Sequence, residues 1–278
     1  MKRVIVIGAG GMLGGAMMGV LREYGCEAIG YDLPEVDIRE MERMVVDDGE
    51  WVVNCAAWTA VDKAEDEATA AFEVNAVGAG KVAKMCCERG MRLLHVSTDY
   101  VFDGKCGVEY REGYRTSPVN MYGLSKRMGE VLTYKELPGV LIVRTQSLYG
   151  DGGPNFVKAI MKQVEAGKKE LSVVGDQVSC PTNVEHLAKA MVGVMDVGVS
   201  GMLHISAEGE CSWNEFAMAI LEEKGIKDVE VKVVKTGEYP VKAVRPLYSV
   251  LSKDRFNELT GGKMPTWREG LKAYLLKS

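Results

Sequence analysis

Short runs of apolar residues alternate, in the first half of the chain, with longer segments in which apolar residues recur every three or four positions. The runs are typical of strands buried on both faces, and the longer segments are typical of helices that bury one face. Five runs precede residue 151: RVIVI, CEAIGYD, WVVNCAA, RLLHVSTDYVF and VLIVRTQSLYG. Strands that alternate with helices build a doubly wound parallel sheet. The pattern therefore predicts an α/β fold over residues 1–150.

The pattern changes after Gly150. DGGPNF is rich in turn residues, FVKAIMKQVEAG has helical periodicity, and LSVVGDQVSCPT indicates a strand that runs into a loop. GMLHISA and VEVKVVKT predict further strands, and Ser212 with Glu215 has the spacing of a capping box. We expect residues 151–278 to form mainly a smaller α/β part, with a segment near 183–207 returning to the first sheet.

The composition is that of an ordinary globular enzyme, with 47% hydrophobic and 26% charged residues in a chain of 278. The net charge of −5 gives no electrostatic basis for binding nucleic acid or an anionic membrane. No apolar stretch approaches the roughly 20 residues of a membrane span, and nothing resembles a signal peptide. Seven cysteines without C-x-x-C spacing indicate free thiols, and the histidines make no metal-ligand motif. We therefore expect a cytoplasmic protein.

A glycine-rich turn follows the first predicted strand. Glycines at this point allow a tight turn, a close approach of a pyrophosphate and close packing of the next helix, although any strand-to-helix turn can require glycine. Asp32 ends the second strand, where a carboxylate would bond the ribose hydroxyls of adenosine and disfavour a 2′-phosphate. We predict a Rossmann-type NAD(P) site that favours NADH without excluding NADPH. The predicted cofactor-binding residues are Gly8, Gly10, Gly11, Met12, Leu13, Gly14, Asp32, Asp37, Ile38, Ala56, Ala57, Tyr122 and Lys126.

Three side chains form the predicted catalytic group: Thr98, Tyr122 and Lys126. Tyr122 and Lys126 stand four residues apart in YGLSK, so on a helix they share one face. An ammonium at ~4 Å could lower the pKa of the phenol by ~3 units, which would make it a proton donor near neutral pH. Thr98 ends the fourth strand and could donate a second hydrogen bond to the same substrate carbonyl. Asn75, within a predicted helix, is either a buried residue that positions the active-site strand or an exposed polar residue, and we slightly favour the first.

In its motifs the chain resembles the dTDP-4-dehydrorhamnose reductase family of extended short-chain dehydrogenases/reductases. The matching segments are the glycine turn, VDKAE, STDYVFDG, YGLSK, RTQSLYG, GDQVSCPT, SWNEFA and RPLYSVL. The resemblance implies that NADH or NADPH reduces the 4-keto group of a nucleotide-linked 6-deoxysugar, converting dTDP-4-dehydro-L-rhamnose to dTDP-L-rhamnose. It implies that Tyr122 is the general acid, that Lys126 supports it and holds the nicotinamide ribose, and that Thr98 orients the carbonyl. The implied substrate-binding residues are Thr59, Val61, Asp99, Tyr100, Asn155 and the loop from Gln177 to Thr182.

Three positions depart from the pattern of that family. Ser147 stands where the family usually has a tryptophan beside the sugar, which removes an apolar stacking surface. Ser179 replaces a glycine. A glutamate that some members use in a metal-bridged dimer would fall near Ala16, which cannot bind a metal. The resemblance therefore leaves a homodimer open but implies neither that metal nor that form of dimer.

Two other functions stay open at the level of sequence. The regulatory subunit of methionine adenosyltransferase resembles the same reductases, and such a subunit would copurify with a synthetase. A nucleotide-sugar epimerase would retain its NAD and consume none. The intact set of Thr98, Tyr122 and Lys126 favours the reductase.

Overall fold

The computed structural model describes residues 1–238 and 240–277. The strands in these ranges are β1 (Arg3–Ile7), β2 (Glu27–Tyr31), β3 (Trp51–Asn54), β4 (Arg92–Thr98), β5 (Leu141–Thr145), β6 (Leu148–Tyr149), β7 (Glu170–Val174), β8 (Val178–Ser179), β9 (Thr182–Asn183), β10 (Gly201–His204), β11 (Cys211–Ser212) and β12 (Glu230–Val234). The α-helices are α1 (Met12–Glu23), α2 (Val61–Ala64), α3 (Ala68–Phe72), α4 (Ala79–Glu88), α5 (Met121–Glu136), α6 (Phe156–Glu165), α7 (Val184–Val197), α8 (Trp213–Glu223), α9 (Asp254–Thr260) and α10 (Trp267–Leu275).

The central sheet has six parallel strands in the order β10-β5-β4-β3-β1-β2. The predicted parallel α/β fold is therefore confirmed, with β10 as a sixth strand in addition to the five that the apolar runs predicted. β2 lies on one side of β1, and β3 and the later strands lie on the other side. The carboxyl end of β1 is therefore the switch point of the sheet. Open α/β sheets bind ligands in the crevice at this point.

Both faces of the sheet are covered. Val4 and Val6 pack in a cluster with α1 and α7, whereas Ile5 and Ile7 pack on the opposite face with α4. Alternate residues of a strand point to opposite faces, so a strand between two helical layers must be apolar throughout. This packing explains why the strand pattern is continuous rather than alternating.

Several elements begin or end elsewhere than the sequence predicts. β3 ends at Asn54, because the side chain Oδ1 of Asn54 accepts the N–H of Ala56 at 3.1 Å and turns the chain away from the sheet. The helix expected near Glu65 begins earlier, as the single turn α2, and a second helix begins at Ala68. Between α3 and α4 lies a π-helical segment, Glu73–Gly78, which the helical periodicity did not predict. Such segments are frequent at functional sites.

Within the described residues, the other strands form three two-stranded sheets: β12 pairs with β7 in parallel, β11 with β8 antiparallel, and β6 with β9 in parallel. The predicted capping box of Ser212 and Glu215 is present at the start of α8. A separate apolar core joins α6, α8 and α10 and includes Phe216 and Trp267. Within the described residues, no helix has both the length and the apolar character that crossing a membrane would require.

Candidate functional site

The glycine turn lies at the switch point and is too tight for side chains at two of its positions. Gly8 has φ +82°, and a Cβ there would lie 2.7 Å from the backbone nitrogen of Ala56. A Cβ at Gly14 would lie 2.0 Å from the carbonyl oxygen of Gly8, so only glycine lets α1 begin this close to β1. Gly11 is the N-cap of α1 and makes no side-chain cap hydrogen bond. The result is a helix N-terminus with open amide groups, which is the arrangement that binds a pyrophosphate.

The residues predicted to meet the adenosine lie beside this turn. Asp32 accepts hydrogen bonds from Gly10 N at 2.6 Å and from Leu33 N at 2.8 Å, so its carboxylate is fixed against the turn. Asp37 caps a 3₁₀ helix and pairs with Arg39 at 2.5 Å, and the Arg39 guanidinium lowers the pKa of its carboxyl. Ile38 is buried, and its side chain packs against Gly78. Met12 and Leu13 lie in the first turn of α1 and contribute to its packing, and Ala56 and Ala57 are half-buried after β3.

Thr98 and Tyr122 meet at the carboxyl edge of the sheet. Thr98 is the last residue of β4, and Tyr122 lies in the first turn of α5, whose N-cap Asn120 accepts the N–H of Gly123 at 2.7 Å. The side chain of Thr98 lies close enough to the Tyr122 phenol to favour its ionised form. The Tyr122 ring packs edge-on against Tyr100, with centroids 5.7 Å apart. Two hydroxyl groups are therefore held together where a substrate carbonyl could meet both.

Lys126 is buried one turn further along α5. Its ammonium donates to the carbonyl oxygen of Val96 at 2.6 Å, which ties the helix to β4. Burial lowers the pKa of Lys126 to about 8, and the carboxylate of Glu130 opposes that shift.

The predicted lowering of the Tyr122 pKa is wrong for this structure. Removal from water raises the pKa of the phenol to about 12, and the neighbouring Thr98 side chain opposes the shift only in part. The ammonium of Lys126 is directed at the Val96 carbonyl instead, so it does not offset the loss of solvation. At neutral pH the phenol consequently carries its proton.

Asn75 is buried, as predicted, but its contacts are with the catalytic helix rather than with the active-site strand. It is buried in the π-helical segment, where its Oδ1 accepts the N–H of Trp58 at 2.8 Å and its Nδ2 donates to Ser125 Oγ at 3.0 Å. A Cβ at Gly129 would lie 2.1 Å from the carbonyl oxygen of Asn75. Both contacts hold α5 against the segment that follows β3.

Asp99 lies directly beside the two hydroxyls and is almost completely buried, with 2% of its surface exposed. Its Oδ1 accepts from Thr98 at 3.0 Å, and a hydrogen bond joins its side chain to Ser249. Its Oδ2 is buried without a hydrogen-bond partner among the described residues. Burial raises the pKa of Asp99 to about 6. A buried carboxyl group with a raised pKa and an unpaired oxygen is typical of a functional site, because it does not stabilise the fold.

An ion pair between Asp62 and Arg245 connects α2 to the segment before α9. Arg245 makes two hydrogen bonds to the Asp62 carboxylate, at 2.7 and 3.1 Å, and also bonds the side chain of Tyr100. These bonds and the N–H groups of Lys242 and Ala243 lower the pKa of Asp62 to about 2. Sequence reasoning missed this pair, although VDKAE and RPLYSVL each contain one of its members.

The two serines that depart from the family pattern contact each other. The hydroxyls of Ser147 and Ser179 are 2.8 Å apart. Ser147 has φ +49°, a backbone conformation that residues other than glycine rarely adopt. It lies two residues beyond Thr145, which is the β5 partner of Thr98 in the sheet. Ser147 and Ser179 therefore lie just beyond the end of β5, the strand that pairs with β4 at Thr98.

The remaining predicted substrate residues occupy different places around the cleft. Thr59 is exposed and Val61 half-buried at the start of α2. Asn155 caps α6 and donates to the carbonyl oxygen of Gly150 at 2.7 Å, so its side chain already has structural partners. Gln177 is buried and donates to Thr236 at 3.0 Å, and the loop after it pairs with the segment that carries Ser249.

Comparison with known proteins decides the family. A family model described as the RmlD substrate binding domain matches residues 1–278. A dTDP-4-dehydrorhamnose reductase from Mycolicibacterium smegmatis is 37% identical, over 97% of this chain and 84% of that protein. The chain belongs to the dTDP-4-dehydrorhamnose reductase family.

Two further proteins match over nearly their whole length. The spore coat polysaccharide biosynthesis protein SpsK of Bacillus subtilis is 40% identical, over 99% of this chain and 97% of that protein. The crystal structure of a dTDP-4-dehydrorhamnose reductase from Bacillus anthracis, in complex with NADP, has a TM-score of 0.93 and 35% identity. That match covers 100% of both chains, so the smaller part is shared by this family of reductases together with the central sheet.

Proposed function

We propose that the protein is an NAD(P)H-dependent oxidoreductase that reduces the 4-keto group of a nucleotide-linked 6-deoxysugar. The substrate supported best is dTDP-4-dehydro-L-rhamnose, which becomes dTDP-L-rhamnose. One observation carries the proposal: the side chains of Thr98 and Tyr122 lie side by side at the ligand-binding edge of the sheet, and Lys126 lies one helical turn away. The family relationship supports the same reaction.

The glycine turn fits a dinucleotide. Side chains at Gly8 and Gly14 would fill the turn, and α1 presents its N-terminus there without a side-chain cap. Gly10, Gly11 and the start of α1 would hold the pyrophosphate, and Asp32 would hold the adenosine ribose. Ala56 and Ala57 would lie along the cofactor after β3. When bound, the reduced nicotinamide supplies a hydride.

Tyr122 supplies the proton. Its phenol is protonated at neutral pH because burial raises its pKa to about 12. As a carbonyl oxygen gains negative charge it becomes a strong acceptor, and Tyr122 and Thr98 would both donate to it. Lys126 would bond the nicotinamide ribose of the bound cofactor. Asp99 and Tyr100 would contact the sugar beside these groups.

Thr59 and Val61 would also lie near the sugar, and Asn155 and the loop from Gln177 to Thr182 would face the nucleotide. We assign the smaller part, from about residue 151 onward, to binding this substrate, and residues 1–150 together with α7 and β10 to binding the cofactor. A small-molecule reductase of this kind, with seven cysteines and no disulfide among the described residues, fits the cytoplasm.

The test is to mix the protein with dTDP-4-dehydro-L-rhamnose, which is also called dTDP-4-keto-6-deoxy-L-mannose, and to follow the absorbance of NADH and of NADPH in separate reactions. Stoichiometric oxidation of either cofactor is expected, with NADH the faster if the fixed carboxylate of Asp32 repels a 2′-phosphate. Sugar conversion without net oxidation would instead indicate an epimerase. No conversion by a folded, cofactor-binding protein would contradict the proposal and favour a regulatory subunit.

A further inference from the structure

A buried ionic cluster lies behind the catalytic residues, and nothing in the proposed reaction requires it. Glu130 follows Lys126 by one turn of α5, and 1% of its side chain is exposed. Its carboxylate accepts two hydrogen bonds from Arg144 of β5, Nε to Oε1 at 2.7 Å and Nη2 to Oε2 at 2.8 Å. Oε1 also accepts from Ser97 Oγ at 2.7 Å. Removing two charges from water can cost more free energy than their mutual attraction returns, so a buried ion pair is not explained by stability alone.

We propose that Glu130 is a positioning residue that fixes the catalytic helix to the two strands beside it and keeps Lys126 charged. This inference rests on the proposed function, because the task that it assigns to Lys126 is to hold the nicotinamide ribose of the cofactor.

The positions of the partners support the first role. Ser97 immediately precedes Thr98 on β4, and Ser97 and Arg144 are register partners in the sheet. The Glu130 carboxylate of α5 therefore bonds β4 and β5 at one pair of register partners, directly before Thr98. Lys126 binds the carbonyl oxygen of Val96 on the same strand. These bonds fix α5 along β4 and leave one relative position for Thr98 and Tyr122.

The charges around Lys126 support the second role. The titratable groups that face its ammonium are Glu130 on the same helix, Cys55 after β3 and His95 on β4. Burial raises the pKa of the Cys55 thiol to about 12 and lowers that of His95 well below its usual value, so both are neutral at neutral pH. Among the described groups that act on Lys126, the carboxylate of Glu130 is thus the anion that favours its protonated form.

The far side of the cluster holds Arg144 in place. The guanidinium lies over the Phe102 ring, 5.0 Å from its centroid, and its Nη1 is 3.4 Å from His204 Nε2. Burial and the neighbouring Arg144 lower the pKa of His204 to about 3. His204 is consequently neutral, and its Nδ1 lies 3.1 Å from the carbonyl oxygen of Tyr110. Arg144 therefore has one charged partner and cannot easily move away from it.

The test compares Glu130→Gln with wild type in the pH dependence of NADH binding, measured by fluorescence, and of kcat/KM. Glutamine keeps an acceptor for Ser97 but removes the charge. We expect kcat to fall about tenfold and the basic limb of both profiles to move about one pH unit lower, because Lys126 loses its proton more readily. Glu136→Gln, at the end of the same helix, is the matched control and should leave both profiles unchanged. Ser97→Ala should lower kcat without moving the basic limb.

Profiles of a folded Glu130→Gln variant that coincide with those of wild type would overturn the inference. If that variant does not fold, because Arg144 is left buried and unpaired, Glu130→Gln/Arg144→Met replaces it, and the basic limb should move in the same direction by a smaller amount. The profile of NADH binding does not depend on the sugar. A wild-type protein that binds NADH but reduces no sugar would contradict the proposed function and still leave the role of Glu130 measurable.

Discussion

At the scale of single residues, the site combines groups that are expensive to bury with groups that hold them in place. One oxygen of Asp99 has no hydrogen-bond partner among the described residues, Lys126 has a pKa of about 8, and Ser147 has a left-handed backbone. Each of these features costs stability of order 1 kcal/mol or more. They occur together at the end of β4 and β5, which is where the proposed reaction takes place.

The substitution Asp99→Asn is expected to stabilise the protein in a pH-dependent way. Burial raises the pKa of Asp99 to about 6, so the folded protein binds a proton more tightly than the unfolded chain between about pH 4 and 6. The wild-type fold therefore loses stability as pH rises through that window. At pH 8 the variant should gain roughly 1–3 kcal/mol in free energy of unfolding, and at pH 4 almost nothing. Urea unfolding at both values measures the gain, and an equal gain at both would show that Asp99 carries no burial penalty.

At the scale of elements, α5 is the decisive piece, and sequence reasoning predicted part of its role. The N-cap Asn120 and the spacing of Tyr122 and Lys126 are local features, so the sequence was sufficient to predict them. The direction in which Lys126 points is not local, because it depends on a carbonyl group of β4. The lowered pKa predicted for Tyr122 failed for that reason.

Gly129→Ala tests how closely α5 must approach its neighbour. The added methyl would lie 2.1 Å from the carbonyl oxygen of Asn75, so helix and π-helical segment must separate. We expect a loss of about 1–3 kcal/mol in free energy of unfolding and a fall in kcat of about tenfold or more. Gly19→Ala is the control within a helix, since a Cβ there meets no atom within 4 Å. It should instead stabilise the protein by about 0.5–1 kcal/mol. Equal effects of the two changes would show that the contact at Gly129 does not constrain α5.

At the scale of the whole molecule, the sequence predicted the sheet better than the cleft. A strand buried on both faces has a continuous apolar pattern, and the glycine turn has a fixed spacing, so β1 to β5 and the start of α1 could be found from residue order alone. The contacts that close the cleft join residues far apart in the chain, such as Asp62 and Arg245, which are separated by 183 positions. Ser147 and Ser179 contact each other across a separation of 32 positions, and no local pattern relates them.

Arg245→Met tests whether that long-range ion pair shapes the substrate site. We expect KM for the sugar to rise about tenfold, because Tyr100 loses the guanidinium that bonds it, while NADH binding changes less than about twofold. The pair is half-exposed, so the free energy of unfolding should fall by no more than about 1 kcal/mol. Arg268→Met, which breaks a surface pair with Glu222, is the control and should leave KM unchanged. A similar KM for the sugar in both variants would show that Arg245 does not contribute to substrate binding.

The pH dependence of the same variant follows from the pKa of Asp62, which is about 2. A carboxyl with a depressed pKa contributes stability above its unfolded value and loses it as pH falls towards the folded value. The difference in KM between wild type and Arg245→Met should therefore be constant from pH 5 to pH 9.

The most direct test of the account is the rate of cofactor oxidation by Tyr122→Phe with dTDP-4-keto-6-deoxy-L-mannose, beside wild type and Tyr134→Phe. Tyr134 lies on the same helix and is 56% exposed, so its loss should not affect the reaction. We expect wild type and Tyr134→Phe to turn over equally and Tyr122→Phe to lose about 10²–10⁴ in kcat while it still binds the cofactor. Turnover by Tyr122→Phe at the wild-type rate would show that another group supplies the proton, and the assignment of this site would be wrong.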